Sequence, residues 1–304
     1  MKPLGFVIIT YNRPADMLAL AENILGLDQA RDLLEEVIIV NNASTDDYSL
    51  VTRFIAEHPE VPFKYINSME NLGVARGRNF AISRSSAPFL IMLDDDAVMG
   101  NKDCLVNLYD EFNTSKTDRE TAIISFKVLY YENGQMQVNA FPHKNFRGYC
   151  DKHFFETYYY AGGAHAIRRD VFHHAGKYPE DFFYGMEEYD LSYRIIDAGY
   201  SIVYSDRILM LHKESPLGRK TKKEKLAMLW LNKSKVAWRY LPRKYYYSTA
   251  LMWSFEYLRQ TRFDLGGWFR GWQEILKIPV TEKRRTVSDS TLAYLRRTEA
   301  RLWY

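Results

Sequence analysis

The stretch "SAPFLIMLDDDAVMG" at residues 86–100 joins an apolar run to three consecutive carboxylates. Its first part, "FLIML", has the composition of a buried strand. It is followed directly by Asp94, Asp95 and Asp96. Carboxylates held this close repel one another and raise their own pKa values unless a positive group lies among them. The stretch therefore predicts a strand that ends at a cation-binding site.

Strand and helix signals alternate through the first hundred residues. The expected strands are Leu4–Thr10, Glu36–Asn41, Pro62–Asn67 and Pro88–Leu93. The expected helices between them are Ala15–Leu25, Tyr48–Glu57 and Val74–Ser83. This alternation predicts an α/β fold with a doubly wound, mostly parallel, Rossmann-like sheet. Ligands of such sheets lie beyond the carboxyl ends of the strands, and the polar residues that follow each strand should meet there.

The rest of the chain divides into two parts by composition. Up to residue 212 the predicted elements are a strand at 120–130, a site-covering loop at 131–158, a helix at 185–200 and one or two short strands at 201–212. Residues 1–212 carry a net charge of −10, whereas residues 213–304 carry +13. We expect a sheet domain at 1–212 and a basic, aromatic-rich helical extension at 213–304.

The composition argues against a disulfide-rich, a secreted or a membrane-spanning protein. With 304 residues, 47% of them hydrophobic and 26% charged, the chain has the composition of a globular protein. Two cysteines cannot form a disulfide framework and favour a reducing compartment. No secretory signal is visible, and no apolar run approaches the roughly 18 residues that span a bilayer. A cytoplasmic location is expected.

Two motifs suit a charged phosphate ligand. The acidic triplet fits a hard divalent cation shared with substrate phosphates, although a solvated loop, a phosphatase, a nucleotidyltransferase or a calcium loop could also carry it. In "NLGVARGRNFAI" at 71–82, Gly73 and Gly77 permit close approach of the backbone, and Arg76 and Arg78 are suited to phosphate oxygens. The ordinary alternative is a glycine-punctuated turn before an arginine-bearing helix.

Two further features gain meaning only from the fold. In "EEYDLSYR" at 187–194, Glu187 and Asp190 share a helix face with Arg194, which is typical of an ordinary ion-pair network. Glu188 points elsewhere and could act as a general base if it lies near a substrate hydroxyl. His212 ends the run "ILMLH", where a lone histidine is usually structural unless the fold brings it to a metal.

These segments, taken in order, resemble the family 2 glycosyltransferases with a GT-A fold, especially bacterial sugar transferases of the rhamnosyltransferase type. The resemblance covers about residues 4–212. The matching segments are "TYNR", "VNNASTD", "NLGVARGRN", "LDDDA", "AGGAHAIRRDVFHHAGKYPEDFFYGMEEYDLSYRIIDAGY" and "VYSDRILMLH". The resemblance implies inverting transfer of a sugar from a nucleotide-diphosphate donor, a UDP- or dTDP-sugar, to an acceptor hydroxyl. The implied acceptor is a glycan or polyprenyl-linked glycan in envelope, capsule or O-antigen assembly.

The resemblance also implies roles for individual residues. The nucleotide-sugar site would contain Thr10, Tyr11, Asn12, Arg13, Asn41, Asn71, Gly73, Arg78, Asn79, Asp94 and Asp95. The sugar and acceptor site would contain Gly162, Gly163, Glu187 and Asp190. Mg²⁺ or Mn²⁺ would be held by Asp96 and His212.

The chain departs from the family pattern at two of these positions. Glu188 would be the general base where the family usually has Asp, so Glu187 and Asp190 stay in reserve for that role. Asn41 stands where the family often has Asp, which leaves the identity of the donor base open.

The basic tail has competing interpretations. Its Lys and Arg residues could meet anionic headgroups while its aromatic residues enter the interface, on the inner face of the plasma membrane. It could instead pack on the acidic front half or form a homodimer interface. The tail contains no recognisable nucleic-acid module, which argues against a nucleic-acid partner. Two rival functions are a metal-dependent nucleotidyltransferase and a non-catalytic protein that binds through this basic region.

Overall fold

Nine strands form one sheet in the computed structural model, which describes residues 1–214 and 221–303. They are β1 (Leu4–Thr10), β2 (Leu34–Asn41), β3 (Phe63–Asn67), β4 (Phe89–Asp94), β5 (Ala97–Met99), β6 (Thr121–Tyr130), β7 (Phe154–Thr157), β8 (Ala164–Arg168) and β9 (Ser201–His212). Their order is β3-β2-β1-β4-β8-β6-β9-β5, and β7 pairs with β9.

The first four strands are parallel neighbours, as the alternating pattern predicts. The helices that connect and flank them are α1 (Pro14–Leu25), α2 (Ala30–Leu33), α3 (Ser49–Glu57) and α4 (Gly73–Ile82). Ile9 of β1 lies beside Asp94 of β4, and Thr10 lies beside Asn41 of β2. The carboxyl ends of these strands therefore form one rim, where the acidic triplet begins.

The later strands complete the rim in a way that sequence patterns do not reveal. β8 follows the glycine pair at 162–163 and runs antiparallel between β4 and β6. β9 is one strand of 12 residues, not two short ones, and its last residue, His212, pairs with Ala97 of β5. This pairing brings His212 beside the acidic triplet. The remaining helices of this region are α5 (Cys104–Asn113), α6 (Phe146–Tyr149), α7 (Val171–Ala175) and α8 (Glu187–Asp197).

The C-terminal helices pack against the acidic front half of the chain. They are α9 (Lys222–Tyr240), α10 (Arg243–Thr261), α11 (Leu265–Thr281) and α12 (Asp289–Arg297). Trp230 of α9 is 1% exposed and shares a hydrophobic cluster with Leu191 of α8. Arg239 lies 3.0 Å from Asp190 and 2.6 Å from Asp181. Part of the positive charge of the tail is therefore neutralised within the molecule, and none of the described helices is long and apolar enough to cross a membrane.

Candidate active site

The three aspartates lie in a cleft of about 790 Å³ at the carboxyl ends of the central strands. This volume falls within the range typical of small-molecule sites, roughly 300 to 1,000 Å³. Arg13 enters the cleft from the loop after β1, and its Nη1 lies 2.8 Å from Asp95 and 3.1 Å from Asp96. The positive group that the acidic triplet requires is supplied in part by this guanidinium.

A metal ion would fit beside Arg13. Asp94, Asp96 and His212 each offer one ligand atom, and these atoms lie within 4.8 Å of one another. Two carboxylates and an imidazole suit a divalent cation that keeps further positions for water or phosphate oxygens. The donor set therefore fits the divalent metal cofactor expected from the sequence.

Gln137 orients His212 for such a role. The Gln137 Nε2 donates to Glu214 at 2.6 Å, which leaves its Oε1 to accept from His212 Nδ1 at 2.9 Å. His212 Nε2 then faces Asp96 Oδ1 at 3.3 Å. Burial alone would lower the pKa of His212, but the hydrogen bond and the charge of Asp96 raise it. A bound cation would be stabilised by the same negative charge on Asp96.

Arg78 connects the metal side of the cleft to the candidate base. It is buried, with 6% of its surface exposed, although it lies on a helix that starts at the rim. Its Nη2 donates to Gly162 O at 2.7 Å and lies 3.7 Å from Asp94, whereas its Nη1 lies 3.2 Å from Glu188. Burial lowers the pKa of Arg78, but surrounding charges outweigh this effect and keep it raised. The side chain is thus a fixed positive centre between the carboxylates.

The two glycines let carboxylates touch the backbone. A methyl group at Gly162 would collide with Glu188 Oε1, and one at Gly163 would collide with both carboxylate oxygens of Asp94. The groups that would have to move are the ends of flexible side chains. An added methyl group should therefore disturb the geometry of the site more than the stability of the fold.

We expect Gly162→Ala and Gly163→Ala to separate two functions. Gly162→Ala should displace Glu188 and lower the turnover rate at least about tenfold, since misplacement by 1 Å can cost about a hundredfold. Gly163→Ala should displace Asp94 and mainly weaken metal-dependent donor binding. Steady-state kinetics and calorimetry on both variants check this, with circular dichroism to verify folding. Equal kinetic defects in the two variants would contradict the assignment.

A strained turn places the acidic pair at the start of α8. Gly185 and Met186 both have positive φ angles, 80° and 75°, and Glu187 begins the helix directly after them. Positive φ in a non-glycine residue is costly and is often retained at functional sites. Asn232 of α9 holds this turn, since its Nδ2 donates to Tyr184 O at 3.2 Å and to Gly185 O at 2.9 Å. The C-terminal helices therefore help to position the acidic pair.

The two members of this pair lie in different surroundings. Glu187 is 3% exposed, its Oε1 lies 3.9 Å from Arg78 Nη1, and its Oε2 has no hydrogen-bond partner among the described residues. Glu188 is more exposed, and its Oε1 accepts from Arg78 Nη1 at 3.2 Å. Burial, and then the charge of Glu188, raise the pKa of Glu187 to about 8. Glu187 therefore keeps its proton at pH 7.

This shift makes stability depend on pH in a defined direction. The unfolded chain releases the Glu187 proton near the ordinary value of 4.5, whereas the folded protein keeps it to about 8, so stability falls as pH rises between these values. Glu187→Gln removes this loss. We expect its melting temperature in EDTA to exceed that of the wild type by at least several degrees at pH 8 and to match it at pH 4.5. Scanning calorimetry measures the difference, and parallel pH profiles would refute the assignment.

A buried hydrogen-bond network contacts the loop that carries the glycine pair. His165 is fully buried, and its Nδ1 donates to Ala161 O at 3.0 Å. Its Nε2 therefore accepts from the Tyr178 hydroxyl, which lies 3.0 Å away. Burial and the charge of Arg78 lower the pKa of His165 well below its usual range, which keeps the ring neutral. Arg78 also lies 5.5 Å from the centre of the Tyr178 ring, so this network contacts both the loop and its arginine.

The fold brings most of the expected site residues into the cleft. Those that line it are Tyr11, Arg13, Asn71, Gly73, Arg78, Asp94, Asp95, Asp96, Gly162, Gly163, Glu187, Glu188 and His212. Burial raises the pKa of Asp95 to about 6 despite the opposing charge of Arg13.

Three further expected residues, Thr10, Asn12 and Asn41, are not among those that line the cleft. Thr10 bonds to Tyr48 at 2.6 Å, and Asn12 Oδ1 accepts from Thr45 N at 2.8 Å. Asn41 donates to Tyr65 at 2.8 Å. Their nucleotide-binding roles stay predictions that these contacts do not support.

Asn79 and Asp190 are likewise turned away from the cleft. Asn79 binds both main-chain groups of Tyr178, at 2.9 and 3.0 Å, and does not face a diphosphate position. Asp190 bonds to Arg194, Arg239 and Tyr240. It holds α8 against α9, which does not favour it as an acceptor contact or a reserve base.

Several cleft residues were not anticipated from the sequence. Asn42 lines the cleft and its Nδ2 donates to Asn71 at 3.0 Å. Gln137 lies in the segment expected to be a covering loop. Tyr159 and Tyr189 stack with ring centres 4.8 Å apart, and both line the cleft together with Glu188. The run of tyrosines at 158–160 was the available signal for this aromatic wall.

The chain is similar to known proteins in both sequence and fold. Residues 6–176 match the family model described as Glycosyl transferase family 2. The O-antigen chain rhamnosyltransferase WbaN of Salmonella anatum is 26% identical over 192 residues, which are 59% of this chain and 57% of that protein. The chain thus spans little more than half the length of this relative.

Solved structures give the same picture of the fold. The mannosyltransferase PcManGT from Pyrobaculum calidifontis, in complex with GDP-Man and Mn²⁺, has a TM-score of 0.61 at 18% identity, covering 98% of this chain and 80% of its own. S. aureus TarS 1-349 in complex with UDP-GlcNAc has a TM-score of 0.66 at 14% identity, covering 91% of this chain and 81% of its own. These likenesses confirm the expected GT-A fold.

Proposed function

The chain belongs to glycosyl transferase family 2, and from that premise we propose that it transfers a sugar from a nucleotide-diphosphate donor to an acceptor hydroxyl with inversion at the anomeric carbon. It is a glycosyltransferase by family. The observation that carries the proposed mechanism is the meeting of three groups in one cleft: the Asp94, Asp96 and His212 set, the buried Arg78, and Glu188.

The donor diphosphate would lie between the metal side of the cleft and Arg78. Asp94, Asp96 and His212 would hold Mg²⁺ or Mn²⁺, which supplies neutralisation of the charge that develops on the leaving diphosphate. Arg78 adds a planar donor group that is already oriented by Gly162 O and Glu188. Fixed positive charge at the leaving group lowers the barrier without reorganisation during the reaction.

Glu188 would act as the general base. It lines the cleft, and the hydrogen bond from Arg78 Nη1 at 3.2 Å fixes the direction of its carboxylate. It takes the proton of the acceptor hydroxyl as that oxygen bonds to the anomeric carbon. The bond from the anomeric carbon to the diphosphate breaks at the same time, and the nucleoside diphosphate leaves. Attack from the face opposite the leaving group inverts the configuration.

The finer identity of the substrates follows from the resemblance and from the relatives. A UDP- or dTDP-sugar donor, and a glycan or polyprenyl-linked glycan acceptor in envelope, capsule or O-antigen assembly, are the substrates that we propose. The similarity to a Salmonella rhamnosyltransferase that acts on O-antigen chains supports the acceptor class. A cytoplasmic site of action at the inner face of the plasma membrane, a homodimer, and the division at residue 212 stay predictions.

A thermal-shift screen with calorimetry tests the proposal. We expect at least one nucleotide-diphosphate sugar to raise the melting temperature of the full chain with Mn²⁺ and much less with EDTA. Incubation with donor and acceptor should then release a nucleoside diphosphate. Release of inorganic diphosphate from a nucleoside triphosphate would indicate the rival nucleotidyltransferase. Binding of no nucleotide sugar under any metal condition would overturn the proposal.

A further inference from the structure

Exposed hydrophobic side chains are concentrated on the C-terminal helices. Among the described residues, 17 large hydrophobic side chains are exposed, and nine of these lie within residues 247–280. They are Tyr247, Leu251, Met252, Phe255, Phe263, Leu265, Phe269, Leu276 and Val280. We call these nine residues the α10–α11 apolar surface. Scattered exposed hydrophobic residues need no explanation, but such a concentration marks an interaction site.

The spacing of these residues gives each helix an apolar outer face. On α11, Phe269, Leu276 and Val280 are 60%, 69% and 89% exposed. Their separations of seven and four residues keep them on one side of the helix. The opposite side of α11 is already used, since Ile275 and Ile278 are each 1% exposed in the core. The helix is therefore apolar on an inner and an outer face.

The segment that carries this surface is basic. Residues 243–285 contain nine Lys and Arg against four Asp and Glu. Arg262 and Arg270 are exposed beside the outer stripe of α11. A second copy of the chain would bring two such positive surfaces together in a symmetric interface, which like-charge repulsion disfavours. An anionic bilayer surface offers both the charge and the apolar interior that the surface lacks.

One edge of the surface contacts α9, the helix that lines part of the cleft. Lys223 at the start of α9 pairs with Asp264 at 3.4 Å, and Asp264 stands between Phe263 and Leu265 of the surface. Two residues of the same helix, Lys225 and Leu229, line the cleft. A membrane held against the α10–α11 apolar surface would therefore lie close to the end where an acceptor enters.

We propose that the α10–α11 apolar surface docks on an anionic lipid bilayer, with its hydrophobic side chains in the headgroup region and its flanking Arg and Lys residues on anionic headgroups. The link to acceptor delivery rests on the proposed function, whereas the docking itself does not. Docking of this kind combines apolar burial with electrostatic attraction, so it weakens as salt is added.

Co-sedimentation of the full chain with lipid vesicles tests the proposal. We expect binding to vesicles of equal parts phosphatidylcholine and phosphatidylglycerol, and at least tenfold weaker binding to phosphatidylcholine alone. The double variant Phe269→Glu/Leu276→Glu should bind the anionic vesicles at least tenfold more weakly. Leu50→Glu, at a 59% exposed position on α3, is the matched control and should bind as the wild type does.

Each outcome separates the proposal from its alternatives. Absence of vesicle binding by the wild type, or undiminished binding by the double variant, would overturn it. If analytical ultracentrifugation showed a wild-type dimer that the double variant does not form, the partner of this surface would be a second copy of the chain and not a bilayer. Donor binding with Mn²⁺, measured without vesicles, should be the same in wild type and both variants. If the wild type bound no donor in this measurement, the proposed function would be refuted, whatever the result with vesicles.

Discussion

Replacing Glu188 with glutamine should abolish sugar transfer and leave donor binding nearly unchanged. The amide has the same size and can still accept from Arg78 Nη1, which lies 3.2 Å from the carboxylate. It cannot take a proton from an acceptor hydroxyl. Loss of a general base typically costs about a hundredfold to ten-thousandfold in rate. We therefore expect the single-turnover rate to fall by at least about a hundredfold, with the donor Kd changed by less than about threefold.

Glu187→Gln is the matched control for this experiment. Glu187 already carries a proton at neutral pH, so its amide should preserve transfer to within about tenfold. If this variant lost transfer while the Glu188 variant kept it, the roles of the two residues would be exchanged.

Replacing Asp96 with asparagine should remove the metal-dependent part of donor binding. Asp96 is 2% exposed and contacts both His212 and Arg13. Asparagine at this position removes the negative charge that lies between those two side chains. Even residues that only support metal ligands typically contribute about 10- to 100-fold to metal affinity. We expect Mn²⁺ to bind at least about a hundredfold more weakly by calorimetry, and donor affinity with Mn²⁺ to equal that in EDTA.

Asp95→Asn provides the comparison for this variant. Asp95 binds Arg13 and Tyr11 N and lies outside the three-residue metal set. Its variant should bind donor more weakly but keep a clear difference between Mn²⁺ and EDTA. The metal would have other ligands if donor binding by Asp96→Asn still depended on Mn²⁺. The same conclusion would follow if only Asp95→Asn lost this dependence.

The parallel part of the sheet was accessible from sequence because each strand is a short apolar run followed by a helix. The predicted strand Leu4–Thr10 has the bounds found, and Asp94 extends the strand that begins near Pro88 by one residue. The antiparallel β8 and the long β9 were not predictable in this way, since their partners lie up to about 115 residues away along the chain. The family resemblance implied a metal-binding role for His212, and this distant pairing is what brings it beside Asp96.

Some predicted site residues lie outside the cleft because one residue step changes the direction of a side chain. Consecutive residues at a strand end point to opposite sides, so Asn42 reaches the cleft and Asn41 binds Tyr65 instead. On α4, Arg78 and Asn79 are about 100° apart around the axis, and only the arginine faces the cleft. Patterns of residue type identify such segments but do not distinguish their neighbouring side chains.

The hydrogen bonds from Asn232 to the turn before α8 have a consequence for how this protein can be divided. A shortened protein that ends near residue 212 would lose the clamp on Tyr184 and Gly185, and its acidic pair would no longer be anchored. Inactivity of such a fragment would not measure membrane attachment. Chimaeras that exchange these helices between relatives should therefore keep an amide side chain at this position if they are to remain competent.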